Sequence, residues 1–194
     1  MNNMQRIGLY GGSFDPVHLG HLLVAQAALE ELVLDRLFFI PAAQSPFKPA
    51  SAPAPASARL QFLRLALAGQ TRCALDLQEI GRGGVSYTID TVRDYLGRFP
   101  GAQLFWLIGA DHVAALPKWR EAAALAGLVK FVVISRPGQL VAPLPEPFRG
   151  RALTGFPFGV SSSQIRARVK AGLPVDGLVP TAVAEAIRNS GLYL

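Results

Sequence analysis

The residues best suited to chemistry stand together near the start of the chain: Gly11-Gly12-Ser13-Phe14-Asp15-Pro16-Val17-His18-Leu19-Gly20-His21, directly after the apolar run Ile7-Gly8-Leu9-Tyr10. The order reads as strand, glycine turn and helix start. Two glycines let the backbone approach a ligand closely, Asp15 can cap the helix, and Pro16 suits its first position, where a missing N–H costs nothing. His18 and His21 stand three apart, which sets both imidazoles on one face beside the positive end of the helix. The stretch is an anion site with two proton-capable donors. Structural hydrogen bonding by the pair stays open on spacing alone. Zinc ligation is disfavoured, because the only other histidine is His112 and the only cysteine is Cys73.

Further candidates lie downstream. In Ser161-Ser162-Ser163-Gln164-Ile165-Arg166, Ser162 and Ser163 can cap a helix, leaving backbone N–H groups facing outward, and Arg166 adds a forked cation suited to phosphate. An ordinary serine cap with a solvent-facing arginine fits the same residues. Asp111, after Gly109, is placed to accept hydrogen bonds from a ribose, with Gly109 allowing adenine or ribose to pack on backbone; a helix N-cap is the other use of Asp111. Lys48, in Ser45-Pro46-Phe47-Lys48-Pro49, either reaches a substrate phosphate or is a solvated surface cation.

The bulk of the chain sets the frame for these residues. At 194 residues, with 51% hydrophobic and 16% charged content, it suits a single domain spanning 1–194 whose core needs no disulfide. The lone Cys73 excludes an internal disulfide and fits a reducing, cytoplasmic setting. No stretch approaches the ~20 apolar residues of a membrane span, and the first residues lack a signal-peptide layout, so a soluble intracellular protein is expected. A net charge of +6 and a pI near 10.0 favour anionic partners, either nucleic acid or phosphorylated small molecules.

Apolar runs alternate with helical periodicity along the chain. A helix over Pro16–Leu32 precedes a buried strand at Leu37–Ile40. Ala42–Ala56, rich in Pro, Ala and Ser, is expected to be irregular, either a surface loop over the site or a plain linker. A helix capped by Ser57 runs to Gly69, the alternation from Cys73 to Ile80 gives a third strand, and Ser86–Thr91 opens another helix. Leu104–Ile108 and Val129–Ile134 read as strands, separated by a helical stretch that Pro117 breaks near Trp119. A weak strand near Arg151–Thr154 and helices over Ser162–Ala171 and Pro180–Asn189 complete the order. This pattern predicts an α/β fold: a Rossmann-like, doubly wound, mainly parallel sheet with helices on both faces and ligands at the carboxyl ends of the strands.

The opening stretch, with His18-Leu19-Gly20-His21, resembles the signature of the His-x-Gly-His nucleotidyltransferase superfamily, and Ser161–Arg166 resembles its second signature. Over nearly the whole chain the resemblance is to bacterial nicotinate mononucleotide adenylyltransferases. It is carried by Gly11–His21, Ser86-Tyr87-Thr88, Gly109-Ala110-Asp111 with Trp119, Ser161–Arg166 and Val179-Pro180. The resemblance implies adenylyl transfer from ATP to nicotinate mononucleotide, with pyrophosphate released and Mg²⁺ held mainly by the ATP phosphates. It implies that His18, His21 and Arg166 are catalytic, and that Gly11, Gly12, Ser13, Phe14, Gly109, Asp111, Ser162 and Ser163 bind ATP. It assigns Lys48, Thr88 and Trp119 to the mononucleotide, Trp119 by stacking on the pyridine ring and Thr88 by donating to its carboxylate; a core tryptophan and a helix-capping threonine fit the same two residues. Where many relatives carry histidine before the loop lysine, this chain has Phe47. A phosphate monoester is mostly a dianion at neutral pH, so the reaction needs no general base; it needs positioned donors.

Nicotinamide mononucleotide differs only in the pyridine substituent and is the closest alternative acceptor. Phosphopantetheine adenylyltransferases share the second histidine but usually carry threonine where His18 stands. A nucleic-acid binding protein is suggested only by the charge of +6, and the basic residues are dispersed.

Overall fold

The apolar runs that alternate with helical segments become strands buried on both faces, because a parallel sheet has helices above and below it. The computed structural model describes residues 4–44, 53–139 and 141–194. Strands β1 (Arg6–Gly12), β2 (Arg36–Pro41), β3 (Cys73–Leu75), β4 (Gln103–Gly109), β5 (Lys130–Ile134) and β6 (Gly150–Ala152) form one sheet in the order β3-β2-β1-β4-β5-β6. Every pairing is parallel. The order reverses between β1 and β4, and the crevice outside the carboxyl ends of these two strands is where such sheets take ligands. The Rossmann-like, doubly wound α/β expectation is therefore met.

The helices are α1 (Leu19–Glu31), α2 (Ala56–Leu67), α3 (Gln78–Arg82), α4 (Thr88–Arg98), α5 (Ala122–Leu128), α6 (Ser162–Lys170) and α7 (Thr181–Ser190), with a 3₁₀ helix at Ala110–Lys118. Side chains alternate across each strand. Tyr10, Leu37, Phe39 and Leu107 pack with α1, α2, α6 and α7 on one face, while Ile7, Leu9, Phe38 and Trp106 pack with α4 and α5 on the other.

Several boundaries differ from the sequence reading, and three of the differences have a clear local reason. Helix α1 starts at Leu19 and not at Pro16: His18, in extended backbone, is the N-cap, and Asp15 and Pro16 belong to the turn before it. The alternation from Cys73 to Ile80 yields strand only to Leu75, because Asp76 turns the chain. Its carboxylate accepts the Gln78 N–H at 2.9 Å, the Tyr95 hydroxyl at 2.5 Å and Arg98 Nη1 at 2.6 Å, which starts α3 instead. Helix α2 is capped by Pro55, whose carbonyl accepts the N–H groups of Ala58 and Arg59, and not by Ser57. The break at Pro117 is as expected: the 3₁₀ helix ends at Lys118, and α5 begins beyond Trp119.

Candidate active site

A cleft of about 790 Å³ opens at the carboxyl ends of β1 and β4, and both sequence segments singled out for phosphate line it. The turn after β1 is shaped by its own side chains. A Cβ on Gly11 would come within 2.8 Å of the Trp106 ring, and one on Gly12 within 3.2 Å of the Phe14 ring. The glycines thus make room first for aromatic packing within the chain. Phe14, in the left-handed region at φ 47°, is 2% exposed, its ring edge-on to Tyr10 at 5.4 Å and to His21 at 5.0 Å. With the ring packed inward, the turn presents backbone to the cleft.

His18 and His21 stand as N-cap and third residue of α1, with ring centroids 3.7 Å apart. Gly20 is required there: a Cβ would approach His18 Nδ1 to 2.9 Å. The His18 N–H donates to His21 Nδ1 at 3.1 Å, so the proton of a neutral His21 sits on Nε2, a donor. Burial, then the Arg136 charge, lowers the pKa of the 6%-exposed His18 from 6.5 to about 4. Burial, then His18, holds His21 well below its ordinary range. Both are neutral imidazoles at pH 7. His18 Nδ1 is buried and has no hydrogen-bond partner among the described residues.

The tail segment reaches the same rim. Its cap differs from the expectation: Ser161, not Ser162 or Ser163, caps α6, in a reciprocal box with Gln164. That frees Ser162 to donate from Oγ to the Pro16 carbonyl at 2.9 Å. Arg166 Nη1 donates to the Asp15 carbonyl at 2.7 Å, and Nη2 to Ser163 Oγ at 3.3 Å. Segments about 150 residues apart in the chain are thereby tied edge to edge.

The facing wall is built differently. Asp111 lies in the first turn of the 3₁₀ helix, whose N-cap is Gly109, and its carboxylate folds over Gly109 so closely that a Cβ there would collide with it. Thr88 is the first residue of α4, after the N-cap Tyr87, and Trp119 ends the 3₁₀ helix edge-on to Phe131 at 6.2 Å. All three line the cleft. Lys48 lies outside the described residues, as does most of the loop expected over the site. Among the described residues no group of three or more His, Cys, Asp or Glu side chains is arranged to hold a metal ion.

Several contributors escaped the sequence reading. Trp106 reads there only as strand, yet it lines the cleft under Gly11. Glu79 also lines the cleft; the residue is 4% exposed, and its carboxylate accepts from Thr91 and has its pKa raised by burial. Arg59 and Tyr193 bond into the turn after β1 from α2 and from the segment after α7, and no motif marks them.

Comparison with known proteins agrees with this geometry. Residues 9–168 match the cytidylyltransferase-like family model. A protein from Opitutus terrae named "Probable nicotinate-nucleotide adenylyltransferase" is 41% identical over 190 residues, covering 97% of each chain. One of the same name from Bordetella petrii is 44% identical over 202 residues, covering 98% of this chain and 100% of its own. Among solved structures, Plasmodium falciparum nicotinic acid mononucleotide adenylyltransferase complexed with NaAD superposes with a TM-score of 0.81 at 16% identity, over 97% of each chain. That last likeness is one of fold.

Proposed function

This chain belongs to the nicotinate-nucleotide adenylyltransferases of the cytidylyltransferase-like family, and from that premise we propose that it joins ATP to nicotinate mononucleotide, releasing pyrophosphate and forming deamido-NAD. The observation that carries the reading is the junction of the two phosphate segments. Ser162 and Arg166 bond the carbonyls of Pro16 and Asp15, and this sets the α6 N-terminus beside the histidine pair on one cleft.

In the proposed reaction an oxygen of the mononucleotide phosphate attacks the α-phosphorus of ATP. The bond from that phosphorus to the bridging oxygen breaks, and pyrophosphate leaves with the electron pair. The attacking phosphate is already ionised, so the neutral imidazoles of His18 and His21 act as N–H donors to the triphosphate and take no proton. Arg166 spends two of its five N–H groups on the chain, leaving the rest of its fork for the β- and γ-phosphates. The first N–H groups of α6, at Ser162 and Ser163, lack intrahelical acceptors and face the same anion. The backbone of Gly11, Gly12, Ser13 and Phe14 runs beneath it. Gly109 and Asp111 receive the adenosine, Thr88 and Trp119 the pyridine, and Lys48 the mononucleotide phosphate.

Mg²⁺ travels with the ATP phosphates in this scheme, and no step is assigned to it. The compartment we assign is the cytoplasm, where a lone thiol such as Cys73 stays reduced. No helix among the described residues is long and apolar enough to cross a membrane. The test is pyrophosphate release from ATP and Mg²⁺ with nicotinate mononucleotide, nicotinamide mononucleotide or phosphopantetheine as acceptor. The acid mononucleotide is expected to turn over fastest. Release with neither pyridine nucleotide sinks the reading, and faster turnover of the amide reverses the choice of substrate.

A further inference from the structure

Beneath the phosphate turn lies a buried polar group that the proposed reaction does not use directly. Arg59, in the first turn of α2, is 1% exposed, and its guanidinium donates to three carbonyls from separate segments: Ser13 at 2.8 Å, Ala42 at 3.0 Å and Ala54 at 3.0 Å. Ser13 belongs to the turn after β1, and Ala42 directly follows β2. Asp15, also buried, sits beside it. One carboxylate oxygen of Asp15 accepts the Tyr193 hydroxyl at 2.7 Å and the Ala54 N–H at 3.3 Å, and the other lies 3.9 Å from Arg166. Tyr193 reaches Asp15 from beyond α7 with φ at 68°, a conformation a tyrosine keeps only where its surroundings hold it. Burial, then the bond to Asp15, raises the phenol's pKa, so the hydroxyl remains a donor.

We propose that Arg59, Asp15 and Tyr193 form a positioning unit that locks the turn after β1, the segment after β2 and Arg166 in one geometry, so that the ATP and mononucleotide halves of the cleft meet in line. The assignment rests on the adenylyltransferase reading. A guanidinium fork can hold several carbonyls at fixed separation, which a lysine ammonium on a flexible stem cannot. Two of the carbonyls it holds, those of Ser13 and Ala42, follow the ends of the adjacent strands β1 and β2, where the two anionic substrates must be brought together, and the third, that of Ala54, ties in the start of α2. Asp15 carries the constraint onward, because the residue whose carboxylate Tyr193 fixes is the one whose carbonyl receives Arg166. Misalignment of reacting groups by about 1 Å costs on the order of a hundredfold in rate. None of the three residues needs to touch substrate.

Tyr193→Phe and Arg59→Lys test this, read by kcat and KM for pyrophosphate release, melting temperature, and hydrogen exchange of the backbone amides of Ser13, Phe14, Asp15, Val17, His18 and Ala54. Tyr193→Phe should lower kcat about tenfold, the worth of a hydrogen bond to a carboxylate, with KM values within about threefold. Melting should move by only a few degrees. Exchange at the turn and at Ala54 should quicken together. Arg59→Lys should lower kcat further, by about a hundredfold. Wild-type kcat in Tyr193→Phe, or faster exchange confined to α7, overturns the proposal and leaves a purely structural tyrosine. If the wild-type chain releases no pyrophosphate, the functional reading fails by itself, and exchange still decides whether Tyr193 constrains the turn.

Discussion

The two walls of the cleft are held by different forces. The phosphate wall, from Gly11 to His21 with Ser161–Arg166 against it, is tied by hydrogen bonds of buried groups, Arg59 to three carbonyls and Tyr193 to Asp15, with the tilted His18 and His21 rings packed against each other beside them. The opposite wall, around Thr88, Trp119 and Arg120, is laced by surface ion pairs. Arg120 meets Asp90 at 3.4 Å and Arg93 meets Glu121 at 2.5 Å, with all four side chains well exposed. Exposed pairs are screened by water and add little, whereas a buried polar bond broken on one side costs about 1–3 kcal/mol. On the proposed function, the wall assigned to the phosphates is the one tied by long-range buried bonds, and the wall assigned to the pyridine ring is the one edged by exposed ion pairs.

This contrast can be broken at its strongest point by His21→Ala. Removing a donor from the phosphate wall should lower kcat by about 10²–10³ while leaving KM for the mononucleotide nearly unchanged, as steady-state kinetics on the folded variant would show. Loss confined to KM would mean that the phosphate wall only binds.

The next effect is a pH dependence of stability carried by the same wall. In the unfolded chain His18 takes up a proton as pH falls below 6.5, whereas in the folded chain it resists until about 4. The unfolded state binds more protons in that window, so the stability from burying a neutral His18 is complete above 6.5 and is lost as pH falls towards 4. His21, lowered by burial and by His18, acts in the same direction. With His18 lowered to about 4, the stability at stake is on the order of a few kcal/mol. Thermal melts between pH 7.5 and 4.5 should show the fall, and tripolyphosphate should reverse part of it by favouring charged imidazoles. A melting curve flat over that range would contradict the burial of neutral histidines.

The smallest effect belongs to the pyridine wall. Trp119→Ala should raise KM for the mononucleotide by about tenfold, the worth of an aromatic contact, with kcat changed less than about threefold. A large fall in kcat would erase the difference between the walls.

Much of this was legible without coordinates. The alternation of apolar strands with amphipathic helices predicts the doubly wound sheet, and glycines, serines and histidines at short spacing predict the phosphate site, because both signals lie within a few turns of chain. Caps were harder. Asp15 and Ser162 have the right chemistry for an N-cap, yet His18 and Ser161 hold the positions, since Asp15 is taken by Tyr193 and Ala54 and Ser162 by Pro16. A cap is decided by which partner is nearer in space, and sequence spacing does not report that.

The sequence alone determined what local chemistry determines: the strand–turn–helix unit, the paired imidazoles three residues apart, and the second serine-rich helix start with its arginine. Only the tertiary structure decided the strand order that places β4 beside β1, the meeting of residues 15–16 with 162–166, and the burial that keeps both histidines neutral. It alone brought in Arg59 and Tyr193, ordinary residues on an ordinary helix and near the end of the chain. Their importance comes from contacts 46 and 178 residues distant in sequence. Long-range partners are chosen by how the faces of the sheet are covered, and no periodicity of a single segment carries that information.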